Sequence, residues 1–253
     1  MNRSVSRRAF IRTALAASVA SSGGAAALLA RRYGLVPPDH DGILGIGHTL
    51  TYGAHKLLLR RQPLVREFRR DQISANFPAI NTTLPADEEY QRDMRQGFRD
   101  WRLTVDGLVK RPREFSLADI RRLPARTQIT QHVCEQGWSA IAEWTGVPLA
   151  EILNSVGVQP EAKYVFFYCI DRWWDSLDMD DAWHPQTLLA YGMNGQDLPV
   201  RHGAPVRLRV ERQLGYKHLK YLSAITVTDS PMDWGKGKGS EGAENGYSWY
   251  AGI

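Results

Sequence analysis

From Trp101 onward, hydrophobic and polar positions fall into short runs whose period switches between two and about 3.6 residues. Trp101, Leu103 and Val105 occupy every second position, which predicts a half-buried strand that turns at Gly107. Ser116 with Asp119 three residues later predicts the capped start of a short helix reaching Arg122. Ile129, Thr130 and Val133 read as a strand that delivers Cys134 onto the turn-forming Glu135-Gln136-Gly137. Val147, Leu149, Ile152, Leu153 and Val156 recur at helical spacing, and Gly157 is placed to end that helix. Lys163–Asp171 is apolar almost throughout, as expected of a central strand buried on both faces. Pro185–Gly192 is expected to form a short helix, and Val206–Val210 and Leu219–Thr228 two further strands.

Upstream, the pattern is weaker. Ile43–Arg61 is compatible with an amphipathic helix carrying His48 and His55 seven positions apart, either as metal or haem ligands or as ordinary face residues. Asn76–Asn81 reads as an extended loop because of Pro78, and Ala86–Gly97 as a short exposed helix. The Gly/Lys/Glu-rich stretch Gly235–Gly246 is expected to be mobile, with Tyr247, Trp249 and Tyr250 available to pin it down. Strands and short helices without a regular βαβ rhythm or an internal repeat predict an α+β fold. The expected division is a leader over residues 1–32, an N-terminal extension over 33–95, a main domain over 96–230 and a tail over 231–253.

Composition changes this picture little until charge is located. A hydrophobic content of 43% in 253 residues is ordinary for a globular chain able to bury a sizeable core. Six arginines and no acid lie in the first 32 residues; taking those six from the formal +5 leaves the remainder at −1. The basic balance therefore belongs to the leader and gives no support for nucleic-acid binding. Within it, Ser6-Arg7-Arg8-Ala9-Phe10-Ile11-Arg12 resembles a twin-arginine export signal, followed by a weakly apolar Thr13–Ala30 run. That resemblance implies an exported, periplasmic protein, carried across already folded, with a leader that is either cleaved or retained as an anchor. The only cysteines, Cys134 and Cys169, are free to form one disulfide in such a compartment or to remain thiols.

Three clusters can carry chemistry. Cys134, with His132 nearby and His184 and His202 at unknown distance, suits a nucleophile, a metal ligand or buried filler. His202-Gly-Ala-Pro-Val-Arg207 and Gly215-Tyr-Lys-His-Leu-Lys220 assemble Arg, Lys and His around two glycines, which suits a phosphate or a solvated basic edge. Trp138, Trp144, Trp173 and Trp174 line a pocket or fill core. An exported Cys–His hydrolase with Cys134 as nucleophile and a Trp-rich binding module both remain open at this point, and neither needs a phosphate cradle.

Seven pieces in order resemble the sulfite-oxidase-type molybdopterin oxidoreductase family. They are Trp101-x-Leu-x-Val-x-Gly, Cys134-x-x-Gly-Trp, Trp144-x-Gly-Val-Pro-Leu, Ala162-Lys-Tyr-Val, His184-Pro-x-Thr-Leu, Gly203-Ala-Pro-x-Arg-Leu and Gly215-Tyr-Lys-x-x-Lys-Tyr. The resemblance implies a mixed, β-rich fold and a molybdenum–molybdopterin cofactor in its mononucleotide-free form, with Cys134 as the protein's ligand to the metal. It places His202, Arg207, His218, Leu219 and Lys220 at pterin or phosphate contacts, with Asn76 and Cys169 as further cofactor contacts. The stretch after the cysteine, Glu135-Gln136-Gly137-Trp138-Ser139, lacks the arginines of sulfite oxidases proper. It is closer to the bacterial periplasmic branch resembling the methionine-sulfoxide reductase catalytic subunit, with sulfite oxidation as the alternative. The chain has no c-type haem motif, so a separate membrane cytochrome b is the implied redox partner of a monomeric catalytic subunit.

Overall fold

A computed structural model describes residues 35–59 and 63–253. The leader, with its arginine pair, lies outside them. Among the described residues no helix is long and apolar enough to cross a membrane. Two five-stranded sheets and six short α-helices within these residues form an α+β fold, as the sequence predicts.

The first sheet runs β2 (Arg113–Ser116), β1 (Arg102–Gly107), β10 (Leu222–Thr228), β5 (Tyr164–Cys169) and β6 (Trp174–Asp178). Every neighbour is antiparallel except β1 and β10, which pair in parallel from Thr104↔Ala224 to Gly107↔Val227. The second sheet runs β3 (Arg126–Val133), β4 (Ser139–Pro148), β7 (Thr187–Met193) and β8 (Gln196–Asp197), with β9 (Arg207–Val210) on the first half of β7. Leu103, Val105, Val165, Phe167, Leu208 and Ile225 join Ile152 and Val156 of helix α4 (Leu149–Val156) in one core cluster. Helix α3 (Leu117–Arg122) starts on the predicted box: Ser116 Oγ accepts from Asp119 N, and Ser116 N donates to the Asp119 carboxylate. Gly157, left-handed at φ 71°, ends α4 as expected.

Three expectations are corrected. Pro185–Gly192 is not helical; Thr187–Met193 is strand β7, held between β4 and the β8/β9 side and buried almost throughout. Leu188, Leu189 and Ala190 have no intrinsic objection to helix, and cross-strand burial on both sides overrides that preference. The helix expected from Val147 begins only at Leu149, because Ser139–Pro148 is a ten-residue strand. The tail is packed rather than mobile: it forms helix α6 (Glu241–Glu244), Ser240 and Trp249 are buried, and Ser176 Oγ donates to Gly239 O. The buried Lys217 ammonium fastens this segment by donating to Trp249 O at 2.9 Å, to Ser176 O at 2.8 Å and to the buried Asp175 carboxylate. Cys134 and Cys169 are both free thiols, so the disulfide left open by the sequence is not made.

Upstream, α1 (Gly45–Leu58) lies on the tail, with Tyr52 edge-on to Trp249 at 5.7 Å and its hydroxyl donated to Asp178. Its histidines go to different partners, His48 to Asp39 and Ser248 and His55 to Tyr250. They are ordinary packing residues, and no group of metal-binding side chains exists among the described residues. Helix α2 (Glu88–Arg95) is capped by Asp87, whose side chain accepts from Tyr90 N.

Candidate active site

The site begins with the β3–β4 hairpin. Val133 pairs with Ser139, so the five residues between them form its loop, closed by Cys134 N donating to Trp138 O and Gly137 N to Cys134 O. Gly137 sits at φ 88°, a conformation that side chains rarely tolerate, which explains the glycine three positions after the thiol. Cys134 is buried, and its Sγ lies 3.4 Å from Glu135 Oε2. Burial first, and the Glu135 charge with it, push the thiol's pKa up.

Two other segments meet this loop. One is the 3₁₀ turn Gly215–Lys217, whose glycine is dictated by crowding: a Cβ there would come within 2.6 Å of His132 Nε2 and 3.2 Å of Cys134 Cα. The other is the extended loop Phe77–Asn81. Phe77 is the aromatic hub, with its ring 5.4–6.0 Å from those of His132, Trp138, Trp144 and His202. Together they enclose a cavity of about 50 Å³. Asn81, Glu135, Gly215, Tyr216, His218 and Lys220 also line a cleft of about 470 Å³.

The cationic set is real and interior. Arg207 is buried, donating Nη1 to His202 O and Nη2 to His218 O, both at 2.9 Å. Its buried Nε has no hydrogen-bond partner among the described residues. Burial, then the neighbouring Arg209 charge, push its pKa down to about 9. Lys220 donates to the carbonyls of Ile80, Thr82 and Arg201, and burial with the Arg207 charge lowers its pKa to about 8. His202, lowered to about 4 by burial and by Arg207, is neutral near pH 7. A buried guanidinium without a carboxylate is costly unless an anion meets it. The donor set therefore fits a phosphorylated cofactor, and the Cys134 loop borders the same cavity through Glu135 and Trp138.

Of the remaining candidates, His218 turns its ring into the core, Nδ1 accepting from Val210 N and Nε2 donating to Gln213 O. Leu219 lines the cleft. Cys169 sits in the main core cluster at the end of β5, near enough to Arg207 and Lys220 for their charges to interact with it. Asn76 is exposed and immediately precedes the cavity wall that starts at Phe77. His132 cannot serve Cys134 as a base: its Nδ1 accepts from Arg209, and burial and that charge hold its pKa down at about 2. Arg209 in turn grips Glu211 with two hydrogen bonds beneath the site and lies over the Trp144 ring at 4.3 Å. Arg209, Glu211, Phe77 and Asn81 are site residues to which the sequence alone assigned no role.

His184 lies elsewhere, with Nε2 against Pro63 O and Nδ1 accepting from Gln186 N. Burial, then Arg212, lower its pKa to about 4. Its folded value is below the unfolded value of about 6.5, so its contribution is complete above that pH and lost as pH falls toward 4. The variant His184→Gln is expected to lose less stability than wild type between pH 7 and pH 5, by up to about 2 kcal/mol, in paired thermal melts. Parallel losses in the two proteins would exclude this role.

Comparison with known proteins agrees with the geometry. Residues 90–234 match the family described as the oxidoreductase molybdopterin binding domain. A protein of Azospira oryzae, provisionally named a protein-methionine-sulfoxide reductase subunit, is 43% identical over 192 residues, covering 73% of this chain and 70% of its own. The protein-methionine-sulfoxide reductase catalytic subunit of Ralstonia nicotianae is 33% identical over 196 residues, covering 70% of this chain and 57% of its own. The sulfane dehydrogenase SoxCD of Paracoccus pantotrophus superposes with a TM-score of 0.50 at 28% identity, over 52% of this chain and 39% of that one. The chain thus spans little more than half of the Ralstonia relative and well under half of the solved one. The chain belongs to the molybdopterin-binding oxidoreductases, built on the sulfite-oxidase-type fold.

Proposed function

We propose that this oxidoreductase reduces sulfoxide-type substrates in the periplasm, with Cys134 ligating molybdenum in a mononucleotide-free molybdopterin. The observation that carries the cofactor assignment is the buried, unpartnered Nε of Arg207 beside Lys220 and the Cys134 loop. Arg207 and Lys220 would hold the cofactor's phosphate, with His202 and the His218–Lys220 segment along the pterin and Asn76 and Cys169 at its margins. When bound, the group supplies oxygen-atom transfer coupled to two electrons. The overall balance is one sulfoxide, two electrons and two protons giving one thioether and one water.

The cleft supports the substrate class. Trp173, Tyr216 and Tyr247 give it aromatic walls, and its two carboxyl side chains, Glu135 and Asp171, outnumber the one lysine, Lys220, which favours an uncharged substrate over a doubly charged anion such as sulfite. A thioether oxide carries no net charge, and its apolar arms suit aromatic surfaces. Electrons would come from a membrane cytochrome b, by the resemblance to the family and by the names of the relatives as reductase subunits.

The test is metal and pterin analysis of protein purified after native export, followed by two assays. Reduction of methionine sulfoxide by a chemically reduced viologen is expected, with little oxidation of sulfite by ferricyanide; the reverse ranking would overturn the substrate reading. Arg207→Ala and Lys220→Ala each remove a charge-assisted contact worth roughly 1.5–3 kcal/mol, or about ten- to hundredfold in affinity. The double variant is therefore expected to fold but purify with markedly less pterin per protein. Full pterin content would make the basic cluster purely structural. For export, replacing Arg7 and Arg8 together by Lys is expected to leave folded protein in the cytoplasm, and equal periplasmic yield would refute the twin-arginine route.

A further inference from the structure

Helix α1 is turned inside out. Its polar side faces the protein, with His48, Tyr52, His55 and Lys56 bonded to Asp39, Asp178, Tyr250 and the Asp178/Asp180 pair. The side left to solvent is apolar: Ile43 is 97% exposed, Ile46 75%, Leu50 69%, Leu57 73% and Leu58 77%. Positions 46, 50 and 57 fall on one helical stripe, Ile43 is exposed in the turn just before it, and no charged residue interrupts the exposed positions from Ile43 to Leu58. Single exposed leucines are normal, but a continuous uncharged stripe marks an interaction surface.

What covers it is indicated by the surrounding sequence. The helix begins 15 positions after the apolar Thr13–Ala30 run ends, and Arg31-Arg32 precede it while Arg60-Arg61 and Arg66 follow. Between Arg32 and Arg60 the only acids are Asp39, which is buried, and Asp41. An apolar stripe bracketed by arginines matches a bilayer surface, where apolar side chains enter the acyl boundary and cations meet anionic headgroups. We infer that α1 lies in the plane of a phospholipid membrane, docking the catalytic domain on the bilayer through Ile43, Ile46, Leu50, Leu57 and Leu58. This is independent of the substrate and, Arg31-Arg32 apart, of the leader's fate, because the helix is built into the folded domain and its polar side packs on the tail.

The test uses the full-length, cofactor-loaded protein in detergent-free buffer with phosphatidylcholine–phosphatidylglycerol vesicles. Wild type is expected to float with the vesicles. Ile46→Asp/Leu50→Asp/Leu57→Asp is expected to lose about tenfold or more of that binding while keeping its melting temperature, pterin content and viologen-driven turnover. A second variant, Leu50→Trp, keeps the stripe apolar; its fluorescence is expected to shift to the blue with vesicles and to be quenched by brominated acyl chains. Equal flotation of the triple variant would assign binding to the leader and overturn the inference. So would wild type that stays in the bottom fraction, as expected if a protein partner covers the stripe. A wild-type dimer in lipid-free buffer that the triple variant dissolves would likewise overturn it, in favour of a second copy.

Discussion

Cys134→Ser is expected to yield folded protein with turnover reduced by more than about 100-fold and with altered or lost molybdenum. The magnitude is set by metal-site energetics, in which even residues that only support metal ligands commonly cost about 10–100-fold in affinity or activity. Serine fits the space, since the Cys134–Trp138 loop is closed by backbone bonds that do not involve the side chain. What it removes is the soft thiolate, at a position where burial and Glu135 already resist ionisation. Elemental analysis and the metal's absorption or paramagnetic spectra distinguish loss of ligation from loss of fold. A variant with wild-type spectra and turnover would take Cys134 out of the site. The hydrolase alternative predicts activity on esters or amides with no metal in either protein, and the neutral, Arg209-bound His132 already opposes it.

The largest stability effect is expected at Lys217, whose replacement by methionine strands the fully buried Asp175 without its cation. Removing one partner of a buried pair costs about 3–5 kcal/mol, which for a chain of this size lowers Tm by roughly 6–20 °C. Burial already outweighs Lys217 and lifts the Asp175 carboxyl to about 6. A carboxyl whose folded pKa lies above its unfolded value of about 3.9 stabilises least when ionised, so stability falls as pH rises through that window. The Lys217→Met deficit should therefore shrink on acidification toward pH 4. Adding Asp175→Leu should restore much of the loss, because an apolar pair can replace a buried ion pair at little net cost. Melts of the two single variants and the double variant check this. An Lys217→Met protein melting within a degree or two of wild type would show that the tail is not fastened there.

Much of the fold was legible because local signals and tertiary need coincide. Ser116/Asp119 and Gly157 bound their helices as expected, and the apolar run at 163–171 is an interior strand. The errors fall where packing overrode local preference. The run around Leu188-Leu189-Ala190 reads equally as helix, yet the Asn194-Gly195 pair just beyond it was a usable hairpin signal. Both residues have positive φ, at 52° and 77°, which joins β7 to β8 by a two-residue turn. The tail misled because glycine and charge dominate it, whereas its order comes from single long-range anchors, Trp249 and Lys217. The site was legible as chemistry through Cys134, Arg207 and Lys220. Its geometry was not: no local pattern shows that Phe77, 55 positions before His132 and 125 before His202, packs against both rings.

The parallel pairing of β1 with β10 also orders events in time. Asp106 and Thr226 share a hydrogen bond across 120 residues, so the strand at the middle of the first sheet leaves the ribosome long after its parallel neighbour. Until it emerges, the β1–β2 and β5–β6 hairpins each present an open edge, the kind that recruits foreign strands. Closing so long a loop is slow, and contacts of high sequence separation delay the folding transition. Without Leu222–Thr228 the first sheet is two unjoined pairs of strands. Synthesis must therefore pass Thr228, and an exposed intermediate must be kept from aggregating, before the sheet beside Arg207, Lys220 and the Cys134 loop is closed.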